Sequence, residues 1–392
     1  MSRPLEVLII GAGIGGLTAA IALRRAGHRV RVVEQAETIA PVGAGITIQP
    51  NAVAALGRIA GVAIADTLVD RGQRVRLVEL READGRQLAR IELAAVSEVP
   101  SVGIHRATLH SALIEALDAE HDDHVTLQLG RRCVDIEAQS ELTARFDDGT
   151  SERAHVIVGA DGIHSAVRAA LHGDAPPRYA GYTCWRGVCS ARDVDWPADL
   201  SAEIWGGGQR FGIVPIDGAR LYWFATYSTP QRSADDAGES PDVRALFAAF
   251  AAPVPDMLAA TDDAAIMQHD ICDRPFDPEW GRGRVTLLGD AAHPMTPNMG
   301  QGACQAIEDA VVLAHALAER DADDLDAVSA SLRDYEQRRR ARSRWFVEQS
   351  HKLGRIGQWR SGLGRLLRRT AAAMTPARSV QARMRKAWSF EL

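Results

Sequence analysis

The sequence predicts an α/β fold: a Rossmann-like dinucleotide-binding domain carrying an inserted β-sheet-rich domain, closed by a C-terminal helical segment. Three observations predict it. An apolar run at 5–10 leads into GAGIGG and a Leu/Ala pattern at helical spacing. Between about 175 and 275, Pro, Trp and Tyr become more frequent and short alternating runs appear. Residues 333–392 are basic, with 16 Lys+Arg against 4 Asp+Glu. A chain of 392 residues is too long for one small core and suits two domains.

The elements follow in order. Leu8, Ile9 and Ile10 lie in a first strand, and Leu17, Ala20, Ile21 and Leu23 mark a helix that Gly27 ends. Val30, Val32 and Val33 form a second strand ending at Glu34. Residues 50–62 read as helical, and 73–92 as a hairpin around Asp84-Gly85. A helix over His110 to Leu117 precedes strands near 125–129, 133–138 and 142–146, and Val156 to Val158 is a short buried strand. Strands at 181–189, 201–205, 211–216 and 221–227 make up the β-rich insertion, interrupted by a helix near 242–250. Val285 to Leu288 returns as a buried strand, followed by helices from Gly302 through Leu317 and over 329–350. This divides the chain into a dinucleotide domain (1–175 and 276–345, with a small substrate-facing sheet near 73–100), a β-rich substrate domain (176–275) and a basic helical tail (346–392).

Gly11, Gly13 and Gly16 form G-x-G-x-x-G between strand and helix. The first permits the tight turn, the second lets a pyrophosphate approach the backbone, and the third lets helix and strand pack closely. The helix N-terminus offers free N–H groups to phosphate, and Glu34 closes the second strand where an acid binds ribose hydroxyls. This unit alone does not separate FAD from NAD. Two further strand ends carry motifs. VIVGADGIHSAVR spans Val156 to Arg168; read alone, it is an ordinary strand-to-helix turn capped by Asp161 or Ser165. VTLLGDAAHPMTPNMGQGACQAIEDA spans Val285 to Ala310, with an acid at the strand end and a Gly-rich loop feeding a helix N-terminus.

In this order and spacing, the three segments closely resemble the class A flavoprotein monooxygenases, the group that includes para-hydroxybenzoate hydroxylase, salicylate hydroxylase, FAD-dependent urate hydroxylase and zeaxanthin epoxidase. The resemblance covers roughly residues 5–345, and its third segment is the most specific. It implies that the Rossmann-like domain binds FAD tightly, with Gly11, Gly13, Gly16, Glu34 and Gln35 at the ADP half. Asp161 and Gly162 serve FAD and the incoming nicotinamide cofactor, and Asp290 holds the ribityl chain. Pro297, Gly300, Gln301, Gly302, Ala303 and Cys304 lie against the isoalloxazine. Arg106 reaches FAD, and Thr47 and Cys133 match positions of backbone contact. Arg210 and Tyr222 match substrate-site positions of the urate enzyme; read alone, they are a surface salt bridge and a half-buried sheet aromatic. His293 tempts a general-base assignment, but the family uses that position structurally. Trp185, Trp205 and Trp223 are either pocket lining or ordinary sheet core.

The implied reaction uses NAD(P)H and O2 as co-substrates. A flavin C4a-hydroperoxide places one oxygen atom on a small electron-rich aromatic or heteroaromatic substrate. Epoxidation of a lipid-like or polyketide/quinolone alkene is the alternative, and a non-catalytic flavin redox sensor ranks below it. A halogenase needs a catalytic lysine, and the only lysines are Lys352 and Lys386, both in the tail. The five cysteines show no zinc spacing, so no metal is expected and the thiols read as reduced and cytoplasmic. No apolar run spans a membrane and no leader is evident at the N-terminus. The basic tail reads as a solvated helix over an acidic body, with weak contact to a membrane surface as the alternative, and no nucleic-acid motif accompanies it. The chain is expected to be a monomer or homodimer.

Overall fold

In a computed structural model, residues 3–39, 43–59, 61, 63–118, 125–138, 142–231 and 241–392 are described. Glu6–Ile10 lies at the centre of a six-stranded sheet, flanked in parallel by Val156–Gly159 and Arg29–Val33. Val285–Leu287 and Val125–Gln128 extend it in parallel, and Gly281–Arg282 closes one edge antiparallel. The strands read as continuous apolar runs because the sheet is covered: Val7, Leu8, Ile9, Val156, Ile157 and Val158 are all buried. The helices Ile14–Arg25 and Gly302–Leu317 pack on each other across it. Thus the strand ends carrying the three motifs share one edge of one sheet.

The insertion forms most of a second, seven-stranded sheet. Its order is Met267–Asp273, Arg178–Ser190, Arg220–Ser228, Gln209–Pro215, Leu200–Trp205, Leu77–Glu82 and Gln87–Glu92. The hairpin at 77–92 therefore departs from expectation. It is not a small sheet of the dinucleotide domain but the edge of this one, with Leu77–Glu82 parallel to Leu200–Trp205. One face packs Trp185, Phe211, Ile213 and Trp223 against the helices Val243–Phe247 and Val254–Ala259. The other face looks back towards the three-stranded sheet of Gly45–Ile48, Ser101–His105 and Gln73–Val75, where a Cβ on Gly103 would lie 2.1 Å from the Pro215 carbonyl oxygen.

Two helical expectations change. The helix expected over 50–62 is Pro50–Leu56, with 60 and 62 outside the described residues. A single 33-residue helix, Leu325–Gly357, crosses the boundary expected at 345. The tail continues as Gly362–Met374 and Ala377–Trp388. It is not simply solvated: the Trp388 indole donates to Gln49 Oε1, Arg342 donates to the Ala387 carbonyl at 2.8 Å, and Lys386 sits over the Trp345 ring. None of the five cysteines is in a disulfide, and among the described residues no helix is long and apolar enough to cross a membrane.

Candidate active site

The first two motifs touch through backbone. Gly11 has φ +104°, and a Cβ there would lie 2.5 Å from the Ala160 carbonyl oxygen; one on Gly16 would lie 2.0 Å from the Gly11 carbonyl oxygen. Nothing lies within 4 Å of the Cβ direction of Gly13, which is open, and the helix Ile14–Arg25 has no side-chain cap on its N-terminal amides. Glu34 accepts from the Ala12 amide at 2.9 Å and the Ala36 amide at 2.9 Å, holding the acid beside the turn. Gln35 is exposed just beyond it and Cys133 is buried nearby. Burial and the adjacent Asp161 push the Cys133 thiol up to about 12. Asp161 serves as a helix cap: its carboxylate accepts from Ser165 Oγ at 2.5 Å and the Ala166 amide at 2.8 Å, while Ser165 caps the Arg168 amide. Gly162 follows with φ +79°.

At the third motif, Asp290 is exposed yet surrounded closely enough that desolvation raises its pKa against the pull of His293 and Arg106. Among the described residues it makes no hydrogen bond or ion pair. It lies at the start of Gly302–Leu317, its Oδ1 3.8 Å from the Cβ direction of Gly302, and that helix also lacks a side-chain cap. Arg106 is exposed and packs its stem on Gly43.

The loop from Pro297 to Cys304 is tied to the strand Gly45–Ile48. Cys304 Sγ accepts from the Gln49 amide at 3.4 Å and lies 3.9 Å from the Thr47 carbonyl oxygen. Gln49 donates to the Met299 carbonyl oxygen at 2.8 Å and accepts from Gln301. Pro297 and Gly300 (φ +60°) are exposed, Gly302 and Ala303 are half-buried, and Gln301 and Cys304 are buried.

The second sheet faces this loop. Tyr222, Phe224 and Thr226 share one face of Arg220–Ser228, opposite the face carrying Trp223. The Tyr222 ring packs on Gly45, where a Cβ would lie 2.3 Å from its own Cβ. Burial pushes the phenol well above its ordinary value, so it stays protonated and can donate. Arg210 is 3% exposed and already bound: it pairs with Glu203 at 2.5 Å and donates to Asn298 Oδ1. Asn298 in turn donates to Tyr182 Oη, Thr296 Oγ1 and the Ser350 carbonyl oxygen, anchoring the loop.

Sequence reasoning missed Arg186. Its strand pairs Arg186 with Phe224 on one side and Met267 on the other, and it acts electrostatically on Tyr222. It is half-buried, makes no ion pair among the described residues, and has an unpartnered buried Nε. The TCWRGVC segment offers only the two-residue alternation as a signal, and its cross-strand neighbours come from far along the chain.

Trp185 and Trp223 belong to the opposite core, and Trp205 donates to Glu203. His293 is buried, 2.6 Å from Asp309, and its ring lies tilted at 45° against Trp280, so its place is behind the site. Asp309 also accepts from the Gly289 amide at 3.0 Å and Arg339 Nε at 2.6 Å. Burial pushes this carboxyl upward, but His293 and Arg339 outweigh it and hold it at about 2. Glu308 beside it binds Arg339, Arg342 and Asn51.

An open glycine turn, two uncapped helix N-termini, an exposed arginine and an unpartnered carboxylate along one sheet edge suit a long, doubly phosphorylated cofactor. Residues 4–350 match the FAD binding domain family, and the chain belongs to that family of FAD-dependent aromatic monooxygenases. It is 40% identical over 396 residues to the aurachin C monooxygenase/isomerase of Stigmatella aurantiaca, covering 100% of this chain and 99% of the relative. It is 34% identical over 389 residues to the 2-heptyl-3-hydroxy-4(1H)-quinolone synthase of Pseudomonas aeruginosa strain UCBPP-PA14, covering 95% and 94%. Its fold matches the crystal structure of Klebsiella pneumoniae HpxO complexed with FAD and uric acid, with TM-score 0.86 and 30% identity over 98% and 96% of the two chains.

Proposed function

We propose that this enzyme uses NAD(P)H and O2 to oxygenate a quinolone-type heteroaromatic ring bearing a carbonyl or phenolate oxygen and an apolar substituent. The observation that carries this is the sheet face around Arg186: one guanidinium without a carboxylate partner, set among Tyr222, Phe224, Val188 and Met267. Arg186 would bind the ring oxygen, Tyr222 would donate a hydrogen bond, and the apolar neighbours would hold the substituent and exclude water. Arg210, saturated by Glu203 and Asn298, would act by fixing the loop at 297–302. By their names, the two relatives described above are a monooxygenase/isomerase of aurachin C and a synthase of a heptylated hydroxyquinolone, which supports the substrate class.

For FAD, Gly11, Gly13, Gly16 and Glu34 would hold the ADP half, with Gln35 at its rim. Asp290 and Arg106 would bind the polar middle, and the loop from Pro297 to Cys304 with Thr47 would meet the ring. Asp161, Gly162 and Cys133 would line the turn beside it. Bound FAD supplies hydride acceptance and oxygen activation. The N-terminus of Gly302–Leu317 would stabilise negative charge there.

Purified enzyme given 2-alkyl-4(1H)-quinolones, urate and aminohydroxybenzoates should show NAD(P)H oxidation and a one-oxygen mass gain with the quinolones. Stimulation by urate or benzoates but not quinolones would overturn the substrate class. Arg186→Leu should raise KM roughly tenfold or more while FAD stays bound, since a charge-assisted hydrogen bond is worth about 1.5–3 kcal/mol. An unchanged KM would remove Arg186 from the pocket.

A further inference from the structure

The helix Gly362–Met374 is turned inside out relative to an ordinary surface helix. A surface helix buries its apolar stripe and exposes its cations. Here Arg368 faces the protein: it is 6% exposed, donates to the Gly357 and Gly206 carbonyl oxygens and lies over the Trp205 ring. Leu363, Leu366, Leu367 and Met374 face outward, with Leu363 68% and Met374 76% exposed. At 100° per residue these four fall within a single arc opposite Arg368; the exposed Arg369 borders that arc, and Arg365 lies behind it with its side chain against Gly207.

We propose that this helix is an interfacial element that seats the enzyme on an anionic lipid bilayer. The charge pattern selects that occupant. Residues 349–390 contain ten Lys+Arg and no Asp or Glu. A second copy docking through the same face would set the bordering Arg369 against its equivalent, a like-charge contact, with Arg365 close behind. A bilayer with anionic headgroups offers a deformable apolar layer for the leucines and phosphates at the level of the arginines. Trp359, exposed just before the helix beside Arg360, suits the same boundary. Because the helix packs on the sheet edge at Gln87–Glu92 and holds the turn at Gly206, the lipid surface would lie against the substrate-side sheet. The inference rests on this helix and its charge, not on the proposed substrate.

The test is sedimentation of the full-length FAD-loaded enzyme with vesicles of phosphatidylcholine alone or mixed with phosphatidylglycerol. The enzyme should pellet with the mixed vesicles and be released by salt. Arg365→Gln with Arg369→Gln should weaken that partition roughly 30-fold, at about fivefold per cation. Leu363→Ser with Leu367→Ser should weaken it roughly tenfold or more. Both variants should keep wild-type FAD content and NAD(P)H oxidation in solution. Failure of the wild type to pellet, or pelleting that neither variant reduces, overturns the proposal. A wild-type dimer that the leucine variant dissociates would show instead that a second copy covers this face.

Discussion

At the scale of single residues, Asp290 shows what an unpartnered carboxylate costs the fold. A carboxylate with no protein hydrogen bond and a pKa raised by desolvation is less stable in place than its amide. Asp290→Asn should therefore lower FAD affinity while leaving the melting temperature of the FAD-free protein unchanged or higher. Flavin fluorescence titration and thermal unfolding read the two effects separately. An Asn variant that keeps FAD affinity would release Asp290 from its cofactor role. Arg186 and Arg210 divide along the same lines. Arg210→Met would take the guanidinium away from Glu203 and from Asn298 Oδ1 and should loosen FAD binding, whereas Arg186→Leu should affect substrate alone.

At the scale of elements, the pairing of Gly302–Leu317 with Leu325–Gly357 carries a buried charge network beside its apolar packing. Arg339 bridges Glu308 and Asp309, and removing one member strands the others. Asp309→Asn or Arg339→Met should each cost about 3–5 kcal/mol. The pH dependence has a definite sign. The Asp309 pKa is held at about 2, below the unfolded value of about 3.9. Its contribution, about 3 kcal/mol from that shift, is complete above pH ~4 and is lost as pH falls towards 2. Urea unfolding of the wild type across that window should show the loss, and Asp309→Asn should show a smaller one. The same network reaches Gln301 through Asn51, so destabilising it should also weaken the FAD site.

For the whole molecule, the C-terminal helices close back on the loop from Pro297 to Cys304 through Trp388 and Gln49, the residue that also binds Met299 and Gln301. Trp388→Phe removes that hydrogen bond and should cost about 1 kcal/mol, near fivefold in FAD affinity. A variant with wild-type affinity would show that the tail only covers the surface. FAD itself should stabilise the fold by about 2.7 kcal/mol at a hundredfold excess over Kd, visible as a rise in Tm on adding FAD to the apoprotein.

The glycine turn, the Gly302–Leu317 helix, the strands of the insertion and the family were legible in the sequence because each depends on local spacing: two-residue alternation, 3.6-residue periodicity and glycines where a side chain would collide. Tertiary structure decided the rest. Local spacing does not show that 77–92 joins strand Leu200–Trp205, that Glu203 and Asn298 occupy Arg210, or that Arg186 is left without a counter-ion. Apart from Glu203, which is 7 residues from Arg210, these depend on partners more than 80 residues away in the chain or on the absence of one, and a charge's availability is fixed by its neighbours in space.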